Sequence, residues 1–243
     1  DAYPGVNKND ENTMSAKDMA IIGQNLIKDF PEVLDTTKIA RLNFKDGNKV
    51  TKMANFNWML KGLSQYDEAY PVDGLKTGTT DAAGACFIGT VEHSGARLIT
   101  VVMGARHQDG TDPSRFIQTK KLMNFIFNKY RPITMTAGSQ MNGAKSIKVT
   151  DGDNATTNLG LKNRTTIWDP ADDKTLVASL DKKTVEAPIT KDQTIGNYQF
   201  KSGNEKIVSL SNPNGMNVKA KALSANGKVN FFVRIWRWLF GGR

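Results

Sequence analysis

Between residues 131 and 226 no helical period of apolar side chains persists. Short β-branched runs at 146–150, 164–168, 175–180, 195–200 and 206–210 alternate there with turns rich in Gly, Asn, Asp and Pro. Evenly spaced short strands of this kind predict a small all-β sandwich or barrel. The preceding stretch reads differently. Ser15 and Asp18, just ahead of Met19, Ile22, Leu26 and Phe30, predict a capped amphipathic helix that Pro31 ends. Asp46-Gly47 predicts a hairpin turn between residues 38–44 and 50–54, and Ser94-Gly95 predicts another between 85–93 and 96–104. Asp112 and Pro113 then offer an N-cap and first position for a helix with Phe116, Met123, Phe127 and Tyr130 on one face. Helices flanking a sheet, followed by a second unit made of strands, place the chain in the α+β class.

With 243 residues there is length for one large or two modest domains, each with a buried core. The net charge of +9 is compatible with an anionic membrane, an acidic polymer such as a cell wall, or nucleic acid. The cations are scattered rather than gathered in a stripe interleaved with aromatics, so no nucleic-acid partner is expected. The single cysteine, Cys86, precludes an intrachain disulfide and, within Ala85-Cys86-Phe87-Ile88, reads as a small buried hydrophobe. His93 and His107 belong to no cluster with metal-ligand spacing, and no Gly-rich phosphate loop is present, so neither a metal nor another cofactor is expected. A first residue Asp1, with no basic-then-apolar leader behind it, reads as a processed or truncated product.

The last segment is a third unit. From Val229 to Phe240 a helical wheel places Arg234 and Arg237 on one narrow face, with Phe231, Phe232, Val233, Ile235, Trp236, Trp238, Leu239 and Phe240 over the rest. About a dozen residues at 1.5 Å each span roughly 18 Å, short of the ~30 Å hydrocarbon core. Such a helix is expected to lie in an anionic membrane interface through Phe231, Phe232, Ile235, Trp236, Trp238, Leu239 and Phe240.

Catalytic chemistry is suggested at one place, Val72-Asp73-Gly74-Leu75-Lys76-Thr77-Gly78-Thr79-Thr80. Lys-Thr-Gly is one of three short motifs that build the active sites of serine enzymes acting on D-alanyl peptides and β-lactams. Opening an amide with a serine requires a base, donors for the oxyanion and a clamp for the charged end of the substrate. On such a strand Lys76 offers an ammonium and Thr77 a hydroxyl to a carboxylate, Gly78 lets a substrate backbone dock, and the Thr79 N–H can donate to the oxyanion.

The frame Val-Asp-Gly-x-Lys-Thr-Gly-x-Thr-x-x-Ala-Gly resembles that of low-molecular-mass D-alanyl-D-alanine carboxypeptidases, penicillin-binding proteins that share the β-lactamase catalytic fold. Residues 12–20 resemble a helix start in that family, and 102–106 the end of the strand that follows. The change of pattern along the chain places a first unit at 1–131, a linker at 132–145, an all-β domain at 146–226 and an amphipathic helix at 227–243, and the resemblance implies that 1–131 is a partial catalytic domain of sheet plus helices. It further implies that Lys76 is catalytic and that Lys76, Thr77, Gly78 and Thr79 bind substrate, with Arg106 as a further candidate for its carboxylate. The implied partners are a peptidoglycan stem peptide ending in D-Ala-D-Ala and β-lactams as inhibitors, at the extracytoplasmic face of a bacterial membrane.

The family's nucleophilic Ser-x-x-Lys and its Ser-x-Asn are expected upstream of Lys76, and neither motif occurs there. Ser179-Leu180-Asp181-Lys182, Ser202-Gly203-Asn204 and Ser224-Ala225-Asn226 match these patterns only downstream, in reversed order, and are read as chance matches. The chain is therefore expected to be part of a serine-type D-Ala-D-Ala carboxypeptidase; the alternative is a non-catalytic wall-binding or scaffold protein derived from one.

Overall fold

The computed structural model describes residues 13–172, 174–210 and 212–240, in two compact units that divide between Asn128 and Lys129. The first contains α1 (Ala16–Asp29), α2 (Val33–Thr37), the ribbon β1 (Arg41–Asp46) and β2 (Lys49–Ala54), the sheet strands β3 (Val72–Thr80), β4 (Gly84–His93) and β5 (Ala96–Ala105), and α3 (Ser114–Lys129). At the head of α1 the expected capping box is present. Ser15 Oγ accepts from the Asp18 N–H at 3.2 Å, and Asp18 Oδ2 accepts from the Ser15 N–H at 2.9 Å. The helix meets the sheet through Gly23, its one buried residue, set against the side chains of Leu75, Ile88 and Ile99. Ile22, Leu26 and Phe30, expected on the core face, are exposed instead. Gly23 brings the helix axis close to the strands, and the apolar stripe beside it is left turned outward.

The sheet is antiparallel in the order β3-β4-β5, and the Ser94-Gly95 hairpin joins its last two strands as expected. Helix α3 lies on it through Phe116, Thr119 and Met123, which are buried with Met59, Val72, Phe87 and Val91. Gly89 makes that close packing possible, because a Cβ there would stand 3.0 Å from Thr100 Oγ1 and 3.2 Å from Thr119 Cγ2. Phe127 stacks on Tyr70 at 5.2 Å, and His93 joins the same aromatic group at 4.8 Å from Phe127. Tyr130, expected on the same helical face, instead opens the next strand.

The second unit contains β6 (Tyr130–Met135), β7 (Ser146–Thr150), β8 (Thr156–Leu161), β9 (Thr165–Pro170), β10 (Leu176–Leu180), β11 (Thr184–Glu186), β12 (Thr194–Ser202), β13 (Glu205–Lys206), β14 (Asn217–Ala222) and α4 (Phe231–Phe240). Strands β6 and β9 form a separate antiparallel ribbon, so the segment read as a linker opens with a paired strand. The larger sheet runs β10-β12-β14-β8-β7-β11, with β13 beside β12. Leu159, Leu161, Ile167, Ile189, Tyr198, Phe200 and Ala220 fill its core. Burial pushes the Tyr198 phenol up to about 12, and its hydroxyl reaches the Ala144 carbonyl at 3.3 Å. In the run 206–210 the strand ends at Lys206, and Ser209 bridges back to Asn212, where Asn212-Pro213-Asn214-Gly215 turns the chain.

One ion pair fixes where β3 begins. Arg97 Nη1 and Nη2 reach Asp73 Oδ1 and Oδ2, each at 2.9 Å, and Arg97 Nη1 also donates to Thr90 Oγ1 at 2.9 Å. The fork joins all three strands of the sheet in a partly buried setting, where a two-point carboxylate contact is stronger than an open surface pair. Asp73→Ala is expected to lower unfolding stability by about 1–3 kcal/mol, measured by chemical denaturation; a change within experimental error would show that the fork contributes nothing.

Candidate functional site

Among the described residues strand β3 pairs with β4 alone, so it forms one edge of its sheet. Its first carbonyls are held from elsewhere in the unit. Thr37 Oγ1 donates to the Asp73 carbonyl at 2.8 Å, and the amide of buried Asn57 reaches the Gly74 carbonyl at 3.5 Å. Next come Leu75 and then Lys76, Thr77, Gly78 and Thr79, which line an open cleft of about 270 Å³ together with Phe56, Trp58, Gly110, Arg115 and Phe116. Phe56 is 79% exposed at this cleft, while Trp58 leans on Phe116 with ring centroids 5.3 Å apart.

Arg115 completes the cleft. Its Nη1 donates to the Gly78 carbonyl at 2.9 Å and to the Cys86 carbonyl at 3.2 Å, and its Nη2 donates to Thr79 Oγ1 at 2.7 Å. The guanidinium lies 5.7 Å from the Phe116 ring centroid. Burial pulls its pKa below the ordinary value, opposed by the nearby Cys86 and Asp112, and an arginine keeps its charge at neutral pH regardless. Arg115 Nε is buried without a hydrogen-bond partner.

Loop geometry sets this position. Asp112 Oδ1 accepts from the Ser114 N–H at 2.9 Å and from its hydroxyl at 2.5 Å, which starts α3 next to β3. Those bonds hold the Asp112 carboxyl below the usual range. Sequence reasoning passed over Arg115, although a signal existed. A cation in the first turn opposes the positive end of the helix dipole, and the acidic group near it is Asp112, just ahead of the helix.

Lys76 Nζ donates to the Thr77 carbonyl. Two cations and two threonine hydroxyls therefore border one cleft, with no acidic side chain in its lining among the described residues. Such a setting attracts an anion and offers it several donors. Arg106 stands just past β5, exposed and outside that lining, where its charge favours the ionised form of Asp112. No serine lines the cleft among the described residues. Ser179 is an exposed residue within β10, Ser202 closes β12, and Asn226 spends its amide on Asn154 O and Thr157 Oγ1. Cys86, expected to be buried, is half-buried with Sγ 3.5 Å from the Ala83 carbonyl. His107 Nε2 lies 3.9 Å from Asp81 Oδ1, and no group of three metal-binding side chains occurs among the described residues.

In α4, Phe232, Ile235, Trp236 and Leu239 are exposed at i, i+3, i+4 and i+7, which aligns them on one face. The Asn230 side chain starts the helix by accepting from the Val233 N–H at 2.9 Å. The side chains of Phe231, Arg234, Arg237, Trp238 and Phe240, and residue Asn12, lie outside the described residues. Among the described residues no helix is long and apolar enough to cross a membrane.

Comparison with known proteins finds matches for both units of the chain. Residues 4–107 match the family described as D-alanyl-D-alanine carboxypeptidase, and residues 133–225 match the C-terminal domain of penicillin-binding protein 5. The chain belongs to the D-alanyl-D-alanine carboxypeptidase family of penicillin-binding proteins.

Among curated members of that family, D-alanyl-D-alanine carboxypeptidase DacA of Haemophilus influenzae is 30% identical over 230 residues, covering 93% of this chain and 52% of the relative. DacC of Escherichia coli is 30% identical over 228 residues, covering 91% and 50%. The chain thus spans about half the length of the curated carboxypeptidases it matches. Penicillin binding protein 5 of Haemophilus influenzae superposes with a TM-score of 0.65 at 28% identity, over 88% of this chain and 57% of that one. A peptidoglycan synthesis regulatory factor (PBP3) of Streptococcus pneumoniae gives 0.66 at 28% identity, over 92% and 60%. Both family matches fall on the two units of the fold, a mixed α/β region and an all-β domain.

In this member of the family the glycine of Lys-Thr-Gly has a testable property. A Cβ built on Gly78 meets nothing within 4 Å, so the fold itself does not require a glycine there. Gly78→Ala is expected to leave stability unchanged or raise it by about 0.4–1 kcal/mol through the unfolded chain, as read by thermal denaturation. A clear loss of stability would make the glycine structural.

Proposed function

We propose that this chain supplies the carboxylate-binding wall and the β domain of a serine-type D-Ala-D-Ala carboxypeptidase whose nucleophile lies in a segment upstream of Asp1. In the complete enzyme a Ser-x-x-Lys serine attacks the carbonyl of the penultimate D-Ala of a peptidoglycan stem. The terminal D-Ala leaves as the amine, and water then hydrolyses the acyl-enzyme. Lys76 and Arg115 attract the terminal carboxylate and the Thr77 hydroxyl donates to it. The bare edge at Gly78 lets the substrate backbone lie along β3, with the Thr79 N–H aimed at the oxyanion. Arg106 contributes longer-range positive charge from the end of β5. β-Lactams occupy the same wall as inhibitors.

The observation that carries this reading is the grip of Arg115 on Gly78 and Thr79. It places a second cation beside Lys76 and fixes the strand edge before any substrate arrives. The exposed Ile22, Leu26 and Phe30 of α1, with Leu42, Phe44, Val50 and Met53 of the β1–β2 ribbon, are apolar surface that the rest of the catalytic domain would cover.

The chain alone is expected to form no covalent adduct with a fluorescent penicillin, whereas the complete protein forms one. In the complete protein Lys76→Ala is expected to slow acylation by about 10²–10³-fold. Arg115→Lys would lower kcat/KM for D-Ala-D-Ala peptides, because one ammonium cannot reproduce both guanidinium contacts. An adduct on Ser179, or on any serine of this chain, would overturn the assignment.

The one-sided apolar face of α4 supports a second element of the proposal, a peripheral anchor on the extracytoplasmic side of an anionic membrane. Co-sedimentation with anionic vesicles is expected to be lost when residues 229–243 are removed; unchanged binding would end the anchor reading.

A further inference from the structure

The β domain contains a groove of about 650 Å³ between the β6–β9 ribbon and the outer edge of β10. Arg131 lies across from Asp169 and Ile133 across from Ile167 in the ribbon register, and directly opposed residues share a face. That face supplies one wall through Arg131, Ile133 and Asp169, and Met135 continues it. The facing wall comes from Met141, Leu176 and Ala178, backed by Phe200.

Asp172 and Lys174 also line the groove and pair with each other at 2.9 Å, whereas its buried carboxyl, Asp169, is incompletely paired. Asp169 is 1% exposed, yet only Oδ2 has a partner, Arg131 Nη2 at 3.5 Å, and that side chain is 58% exposed. Asp169 Oδ1 is buried with no hydrogen-bond donor. A buried carboxylate oxygen without a donor is costly in a fold, and one that is retained calls for an explanation such as a bound group. Ser202, directly opposite Leu176 in the strand register, carries the other unpartnered buried oxygen among the described residues of this unit.

We propose that this groove binds a peptide side chain bearing a primary ammonium on an aliphatic stem, as in lysine. The ammonium would donate to Asp169 Oδ1, and the methylenes would lie along Ile133, Met135, Met141 and Leu176. Long cationic side chains bury their stems in this manner while the charged head keeps a polar partner. A donor-only head matches an acceptor buried in the groove wall.

Two observations select a side chain over other occupants. The Ala178 N–H already donates to the Asn142 carbonyl at 2.7 Å, and a Cβ on Gly143 would stand 2.5 Å from the Ala178 carbonyl. The edge of β10 is therefore capped and cannot take on a whole added strand. A sugar ring would need an exposed aromatic face, and the aromatic residue in this lining, Phe200, is 1% exposed.

Titration of the ¹⁵N-labelled full chain with Nα-acetyl-lysine N-methylamide tests the site. Saturable amide shifts are expected at residues 139–142 and 175–178. The norleucine counterpart, which lacks the ammonium, should produce none. Asp169→Asn should weaken the lysine probe by about tenfold or more. Arg131→Gln should tighten it, because the guanidinium that shares the carboxylate is gone. Equal responses to the lysine and norleucine probes, or shifts with chitotriose in place of lysine, would overturn the proposal. Should Asp169→Asn fail to fold, Arg131→Gln decides: a structural ion pair predicts no gain in binding, and absence of tightening counts against the site.

Discussion

A strand left open along one edge must be held from its other edge and from behind. β3 meets that constraint, and much of the first unit follows from it. Pairing with β4 fixes its register, the Asp73–Arg97 fork fixes its start, and Arg115 holds the far end at Gly78 and Thr79. Each of these holds the strand while leaving the Lys76–Gly78 stretch facing a cleft. Because Arg115 is placed by α3, and α3 approaches the sheet across Gly89, the packing of one helix is coupled to the shape of the cleft.

The arrangement carries a local cost that suits a binding function. Arg115 is partly desolvated, opposes the dipole of its own helix and leaves one nitrogen unpaired. In the proposed function a peptide carboxylate would draw on both Arg115 and Lys76. The second unit shows the same pattern at Asp169, where a buried carboxylate keeps one oxygen unpaired beside an open groove.

Legibility in the sequence followed the range of the interactions. Capping boxes and two-residue hairpins are local, so Ser15–Asp18 and Ser94-Gly95 were readable and occur as expected. β8 and β14 were missed because Gly160 and the alanines of Asn217–Ala222 give a weak strand signal; only their neighbours make those residues strands. Tyr130 was assigned to a helical face because its spacing fits, whereas pairing of β6 with β9 draws it into a strand. The apolar stripe of α1 was legible as a stripe, but not its outward direction, which depends on the close seat of Gly23.

The sequence by itself determined the family frame around Lys76-Thr77-Gly78, the α+β then all-β order of the chain, and the apolar character of the last helix, because each is written in contiguous residues or a short period. Only the tertiary structure decided which cation faces that motif. Arg106 follows the strand in sequence, yet Arg115 reaches β3, because α3 folds back across the sheet and places a residue 37 positions from Gly78 against its carbonyl. It alone also revealed the unpaired oxygen of Asp169, since burial and missing partners are properties of the surroundings that no single segment encodes.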